Sequence, residues 1–226
     1  MSNRHTMDYS RPGGRQLSQN ESPRCVRESV SAEQFAFDLE KYRLLALELG
    51  ATDARVIRAE DITIDERVRG KCRYPTCPSY NTNMNCPPYT MQIDEFRKLV
   101  SRYSNAIFFK IDIRSRNLED HTRATRQTIT DIVWKLESAA FYDGYYLATG
   151  FGGTNCKDIF CPTIECAAIA GKGCRHPYKA RPGMHGLGID AFRMAARIGW
   201  DLYPLGSSAD GTSVPFMTTM GLVLVD

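Results

Sequence analysis

The sequence predicts a single α/β or α+β domain with a central mixed sheet, flanking helices and cysteine-bearing loops at strand ends. Two observations carry this prediction. Segments with apolar residues at helical spacing alternate along the chain with short β-rich runs, which is typical of helices packed on a sheet. The run Ile107-Phe108-Phe109 would be apolar on both faces of a strand, which indicates a sheet that is covered on both sides.

The first predicted elements are a helix and two short strands. Ser31 and Gln34 have the spacing of a capping box at the start of the helix, and Gly50 ends it. Apolar and β-branched residues predict strands over residues 54–57 and 62–64.

The middle of the chain continues with helices and strands in alternation. Apolar periodicity predicts helices from Asp94 and over residues 122–141, with a β-rich run over residues 106–113 between them. A strand over residues 145–148 then runs into the glycine-rich segment 150–153. Because binding sites in such folds commonly lie on loops at strand ends, the cysteines that follow occupy a favourable position for function.

A helix and two strands complete the predicted domain. The apolar stripe of this helix runs from Leu187 to Ile198 and stops at Gly199. Closing strands are predicted over residues 201–205 and 214–225, around a loop rich in Gly and Ser.

Length and composition agree with one folded domain preceded by an arm. The chain has 226 residues, of which 42% are hydrophobic and 24% are charged, and these values are ordinary for one globular core. Residues 1–30 are rich in Ser, Asn, Arg, Gly and Pro and show no apolar periodicity. We therefore predict a flexible arm over residues 1–30 and a cysteine-rich metal-binding domain over residues 31–226.

Seven of the eight cysteines fall into two groups. The four-thiol group comprises Cys156, Cys161, Cys166 and Cys174, and the three-thiol group comprises Cys72, Cys77 and Cys86. Cys25 stands far from both groups in sequence, so we exclude it as a ligand. Grouped cysteines in a reducing compartment indicate metal binding or catalysis rather than a disulfide framework.

The spacing of the thiols favours 4Fe-4S clusters, one or two in number, with zinc as the alternative. Structural zinc sites typically use two closely spaced cysteine pairs that are well separated in sequence. The four-thiol group instead distributes single cysteines along one loop, as the corners of a cubane would require. Proline follows Cys77, Cys86 and Cys161, and a Cys-Pro step is a feature of the bacterial ferredoxin pattern.

The three-thiol group indicates an open coordination position. A cubane held by Cys72, Cys77 and Cys86 would leave one iron available to a small molecule or small anion. Alternatively, the two groups complete each other in a single site. His176 and His185 are candidates for a missing ligand or a proton donor, because imidazole is borderline-soft and titrates near neutrality.

Four cations flank the thiols, namely Arg73, Arg175, Lys179 and Arg181. They would offset the negative charge of a cluster or bind a carboxylate or phosphate, and charge compensation alone would explain them. Arg181 is nevertheless a third candidate for a catalytic role, beside His176 and His185.

Charge and hydropathy exclude several classes of partner. The net charge is +3 without a basic run, which gives no reason to expect nucleic acid or an anionic membrane surface. No apolar stretch reaches the roughly 20 residues that span a bilayer, and the N-terminus lacks the apolar core of a secretory signal. We therefore expect a cytoplasmic protein, whose oligomeric state the sequence does not indicate.

Several motifs are shared with a known family. In the front half they include Ala54-Arg-Val-Ile57, Cys77-Pro-Ser-Tyr80 and Cys86-Pro-Pro88, and in the back half Cys174-Arg-His-Pro177 and Gly188-Ile-Asp190. Over residues 50–206 the chain resembles a prokaryotic family of predicted metal-binding proteins of unknown function, common in anaerobes. The resemblance implies metal binding by the cysteines. The chain departs from the family in wider cysteine spacing before Cys174 and in Gly183-Met184-His185, where the family tends to have Ser-Met-Glu.

Three functions are compatible with this sequence. The leading hypothesis is an iron-sulfur protein whose open iron acts on a small molecule or in sulfur or redox chemistry, with the four-thiol cluster as an electron relay. The second is a non-enzymatic, ferredoxin-like electron carrier or redox-complex subunit that docks a redox protein. The third is a structural domain stapled by zinc.

Overall fold

The computed structural model describes residues 24–114, 118–204 and 214–226. This part of the chain contains six α-helices, two 3-10 helices and one four-stranded sheet. The α-helices are α1 (Ala32–Glu48), α2 (Glu66–Arg73), α3 (Ile93–Val100), α4 (Leu118–Tyr142), α5 (Cys156–Phe160) and α6 (Ala191–Arg197). The strands are β1 (Asp53–Arg58), β2 (Asn105–Ile113), β3 (Thr149–Phe151) and β4 (Met217–Val225), and the 3-10 helices are Ala59–Asp61 and Met184–Leu187. None of the described helices is long and apolar enough to cross a membrane.

The sheet has the strand order β1-β2-β4-β3, and each neighbouring pair is antiparallel. The predicted fold class, one domain with helices around a central sheet, is confirmed. The expectation of a mixed sheet is corrected, since the described strands pair only antiparallel. β4, the last strand, inserts between β2 and β3 and runs opposite to both. Periodicity indicates a strand, whereas its direction relative to its neighbours depends on contacts far apart in sequence.

Helices cover both faces of the sheet, so the central strands are buried on both sides. Along β2, Phe108 packs into one core and its neighbour Phe109 packs into the other, because side chains alternate along a strand. α1 contributes Leu39 to the core that contains Phe109. α3 and α6 contribute Phe96 and Met194 to the core that contains Phe108. The predicted burial of this strand on both faces is therefore confirmed.

The longer predicted elements are found close to their expected positions. α1 begins directly after Ser31, whose hydroxyl accepts a hydrogen bond from the N–H of Gln34 at 3.2 Å. The periodicity also predicted α3, α4, β1 and β2. The last helix and the last strand are shorter than expected, because Gly188 ends a 3-10 helix at a φ of 80° before α6 begins, and β4 begins only at Met217.

Three of the short predicted strands are wrong where the structure describes them. Within residues 62–64, Ile64 makes only an isolated bridge to Ile189. Residues 145–148 form a turn that precedes β3, and residues 201–204 carry no strand, while residue 205 lies outside the described part. Ile62 and Tyr145 are buried in the two cores beside the sheet, so their apolar character reflects packing rather than strand pairing.

Two short helices that the sequence analysis missed carry cysteines. α2 contains Cys72 in its last turn, and α5 begins with Cys156. Neither helix has a buried residue, so neither shows the apolar stripe by which helices are predicted from sequence.

The chain before α1 contacts the domain at Arg24. Residues 1–23 of the predicted arm lie outside the described part. The N–H of Arg24 donates to the carbonyl of Tyr142 at 2.9 Å, and its guanidinium donates to both carboxylate oxygens of Asp38, at 2.7 and 2.5 Å. Asp38 is fully buried, so Arg24 supplies the compensating charge for a carboxylate inside the domain.

We expect Gly221→Ala to lower the free energy of unfolding by about 1–3 kcal/mol, because it would overpack the centre of the sheet. A Cβ at Gly221 would lie 2.5 Å from Cζ of Phe109, which is fully buried and has no room to move. Denaturant unfolding measures the effect. Gly70→Ala is the matched control, because a Cβ at this exposed position of α2 meets no atom within 4 Å and alanine favours the helix. Equal losses in both variants would contradict the packing explanation.

Candidate metal centre

A backbone bridge fixes the chain where it leaves β3 toward the four-thiol group. The N–H of Gly152 donates to the carbonyl of Pro182 at 3.0 Å, and the N–H of Met184 donates to the carbonyl of Gly152 at 2.9 Å. A Cβ at Gly183 would lie 3.0 Å from the carbonyl oxygen of Thr154, so glycine permits this close approach. The bridge ties the start of the cysteine loop to the segment that follows it.

Helix α2 holds Cys72 of the three-thiol group. Asp65 caps the helix by accepting a hydrogen bond from the N–H of Arg67 at 2.8 Å. Further along, the guanidinium of Arg69 donates to the carbonyl of Gly186 at 2.6 Å. Cys72 is thereby placed beside the segment that carries His185.

In the structure, the other thiols of the four-thiol group lie close enough to Cys156 to interact with it electrostatically. Burial is the main cause that raises the pKa of Cys156, to about 11, and the neighbouring thiols of Cys174, Cys166 and Cys161 add to it. A positive charge beside Cys156 would oppose this increase. Because thiolates are the ligating form, metal binding here would release protons.

Backbone N–H groups point at two thiols of this group. The N–H of His176 donates to Sγ of Cys174 at 3.3 Å. Burial acts to raise the pKa of Cys166, but three backbone N–H donors outweigh it and the pKa is lowered. These donors belong to Ile169, Met84 and Ala168. Hydrogen bonds of this kind favour the thiolate, which is the form that ligates metal.

The three thiols of the upstream group are also neighbours. The N–H of Cys77 donates to the carbonyl of Cys72 at 3.0 Å, which closes the turn between them. Burial and the nearby Cys77 raise the pKa of Cys72. Burial raises the pKa of Cys86 to about 11, with smaller contributions from Cys156, Cys72 and Cys77.

Residues 83–85 connect the two groups. The side-chain amide of Asn85 donates to Sγ of Cys156 at 3.3 Å. Asn83 hydrogen-bonds to Cys86, and its Oδ1 accepts from Sγ of Cys156 at 3.7 Å. Asn83 is 1% exposed, so its polar side chain is buried between the thiols. The sequence analysis missed these asparagines. The available signal was three asparagines at alternate positions, 81, 83 and 85, between two Cys-Pro steps.

A cavity of about 710 Å³ lies next to the three-thiol group. Cys72, Cys77 and Cys86 all line it, whereas the thiols of the four-thiol group are not part of its wall. The other lining side chains include Val68, Lys71, Ser79, His185 and Phe192. The two cysteine groups therefore differ in their access to small molecules.

Of the three catalytic candidates, His185 lines the cavity and the other two side chains are engaged elsewhere. The protein around the ring of His185 lowers its pKa by desolvation, so the ring is neutral near pH 7. His176 stacks on Phe160, with ring centroids 5.0 Å apart. Arg181 forms an ion pair with Glu137.

The cations near the thiols also differ in whether their side chains have an interaction partner. Arg175 donates to the carbonyl of Glu165 at 2.7 Å, and the ammonium of Lys179 lies 4.9 Å from the ring centroid of Trp134. Lys71 was not singled out from sequence. It lines the cavity, and its ammonium has no hydrogen-bond or ion-pair partner among the described residues.

All eight cysteines belong to the described residues, and none of them forms a disulfide. Cys25 is exposed, and its thiol donates to the carbonyl of Val26. Across residues 24–114, 118–204 and 214–226, no group of three or more His, Cys, Asp or Glu side chains is arranged to hold a metal ion.

The fold and the clustered thiols define a cysteine-rich α/β domain with two adjacent thiol groups. The family model described as predicted metal-binding protein (DUF2284) matches residues 55–225, so the chain belongs to this family. This match confirms the resemblance inferred from the sequence motifs. Neither a curated protein nor a solved structure shows a significant match to the chain.

Proposed function

We propose that this protein is an iron-sulfur protein with two centres of different accessibility. The 4Fe-4S cluster is held by Cys156, Cys161, Cys166 and Cys174. The second centre is held by Cys72, Cys77 and Cys86, with one coordination position open to the cavity. When bound, such clusters supply one-electron transfer, and an open iron supplies a Lewis acid for a small molecule.

The observation that carries this proposal is the position of the cavity. It is lined by the three thiols that would leave an iron incompletely coordinated, and not by the four thiols that suffice to complete a cluster. Its volume, about 710 Å³, is in the range of small-molecule sites. Small-molecule chemistry is therefore assigned to the three-thiol centre and electron relay to the four-thiol centre.

The local chemistry of the thiols supports a metal in both groups. The N–H groups that point at Cys166 and Cys174 are suited to sulfur that carries negative charge. Burial and neighbouring thiols raise the pKa of Cys72 and of Cys86, and a bound cation would oppose this increase.

The chain's own residues have separate tasks in this proposal. His185 presents a neutral imidazole to the cavity, where it can accept a proton from a ligand or donate one to it. The asparagines of segment 83–85 contact thiols of both groups and fix their relative positions. Because thiolate ligands must stay reduced, the proposal includes a cytoplasmic location.

A non-enzymatic electron carrier is the second candidate, and the exposure of Cys174 favours it. This thiol is at the surface, so a cluster that it ligates would have an edge near solvent and near a docked redox protein. In this case the cavity would hold no ligand during function.

Metal and sulfide analysis after anaerobic purification tests the iron-sulfur assignment. We expect about eight irons and eight sulfides per chain, because two cubanes contain four of each. Zinc without acid-labile sulfide would contradict the proposal and favour the zinc-stapled domain.

Electron paramagnetic resonance of the reduced protein, with and without cyanide, separates the two iron-sulfur functions. We expect cyanide to change the signal of one centre and to leave the other unchanged, because only the three-thiol centre has an open iron. Spectra that are unaffected by cyanide would favour the electron carrier.

A further inference from the structure

We infer that the cavity binds a small organic monoanion with an apolar body, with the anionic group at Lys71 and the body against Phe192. This inference rests on the proposed function, because it names the ligand class of the same open site. It depends, however, on side chains of the cavity wall that are present whether or not a cluster is bound.

Within the part of the chain that the structure describes, Lys71 is the cation of the cavity wall that pairs with no carboxylate. Arg67, one helical turn earlier on α2, binds the carboxylate of Asp65 through both Nε at 3.0 Å and Nη2 at 2.6 Å. The second carboxylate in the wall, Asp190, caps α6 by accepting from the N–H of Arg193 at 3.0 Å. Both carboxylates are therefore engaged, while Lys71 has no partner among the described residues. An ammonium in a cavity is a point-charge partner for a carboxylate or similar anion.

The apolar residues of the cavity wall favour an organic ligand over an inorganic anion. Phe192 is 49% exposed, although it stands on α6 beside Ala191, Met194 and Ala195, which are buried in the core. Val68 and Ile189 also line the cavity. A ligand with an apolar body would remove the exposed ring of Phe192 from water, and this burial favours binding.

Neutral polar groups complete the wall and allow a ligand to be oriented. The hydroxyls of Ser79 and Thr154 and the ring of His185 line the cavity without a side-chain hydrogen-bond partner among the described residues. Ligand sites of this size commonly combine an apolar wall with a few such groups.

Isothermal titration calorimetry with benzoate tests the inference on the anaerobically isolated full chain. Benzoate carries one negative charge on an apolar ring, and benzamide is its neutral analogue of similar shape. We expect saturable binding of benzoate and binding of benzamide that is weaker by about tenfold or more, since one charge-assisted hydrogen bond is lost. Absence of saturable benzoate binding up to about 10 mM, or equal binding of benzamide, would overturn the inference.

Single substitutions test whether Lys71 and Phe192 bind the ligand. Lys71→Gln should weaken benzoate about tenfold, Lys71→Arg should retain most of the affinity, and Lys98→Gln should change nothing. Lys98 is the matched control because it is an exposed helical lysine outside the cavity, without a side-chain partner among the described residues. Phe192→Ala should weaken benzoate several-fold and leave acetate, which lacks the ring, unchanged. Equal effects of the two glutamine substitutions would overturn the placement of the anion.

The same samples distinguish this inference from the proposed function. Iron and sulfide are measured independently of benzoate binding. Full cluster content without benzoate binding would refute the ligand class alone. Zinc without sulfide, together with benzoate binding that depends on Lys71, would refute the iron-sulfur function and leave the anion site in place.

Discussion

Under the proposed iron-sulfur function, replacement of Cys166 by alanine is expected to remove about four of the roughly eight irons per chain, because the four-thiol cluster would lose one thiolate ligand. Cys166 is the clearest ligand candidate, since backbone N–H donors lower its pKa although burial acts to raise it. The remaining iron should still respond to cyanide, because the three-thiol centre is unchanged. Iron and sulfide analysis with electron paramagnetic resonance measures both effects.

Two further variants complete this experiment. Cys77→Ala should remove the centre that responds to cyanide and leave the other signal. Cys25→Ala should change neither iron content nor spectra, since Cys25 is exposed and lies outside both groups. Complete loss of iron in both Cys166→Ala and Cys77→Ala would indicate one site shared by the two groups, which is the alternative left open by the sequence.

Arg24→Met is expected to lower the free energy of unfolding by about 3 kcal/mol at pH 7, because it leaves the carboxylate of Asp38 buried without its cation. The carboxylate is fully buried and keeps only neutral partners, including the hydroxyl of Tyr145 at 2.8 Å. Arg27→Met is the matched control, since Arg27 is exposed in the same segment and has no side-chain partner among the described residues. Denaturant unfolding at several pH values measures the difference.

The pH dependence of the Arg24 variant has a defined sign. Burial acts to raise the pKa of Asp38, but hydrogen bonds from Arg24 and Tyr145 outweigh it and the folded-state pKa is lowered. The wild-type contribution is therefore present above the unfolded pKa of about 4 and is lost as the pH falls through the folded pKa. Without Arg24, the effect of burial on the pKa of Asp38 dominates. A protonated Asp38 then destabilises the folded state less than an ionised Asp38 does. The difference between variant and wild type should thus shrink as the pH is lowered toward 4, and a difference that grows would contradict the ion-pair explanation.

The sequence was sufficient for features that depend on local pattern. Apolar residues at helical spacing predicted α1, α3 and α4, and the double burial around Phe108 predicted a sheet covered on both faces. The sequence pattern did not predict α2 and α5, because their residues are not buried and therefore show no apolar stripe. It also failed for short runs such as residues 62–64, where a buried isoleucine contributes to the core beside the sheet instead of joining it.

For the candidate site, the sequence by itself determined the residue types: two groups of thiols, flanking cations and two nearby histidines. Only the tertiary structure decided how these residues are arranged. It placed Asn83 and Asn85 between the two groups, selected His185 rather than His176 for the cavity wall, and engaged Arg181 with Glu137. The physical reason is that ligand spacing is encoded along the chain. The cavity, in contrast, is built from α2, α6 and loops that meet only after folding, so access to the three-thiol group could not be predicted from spacing.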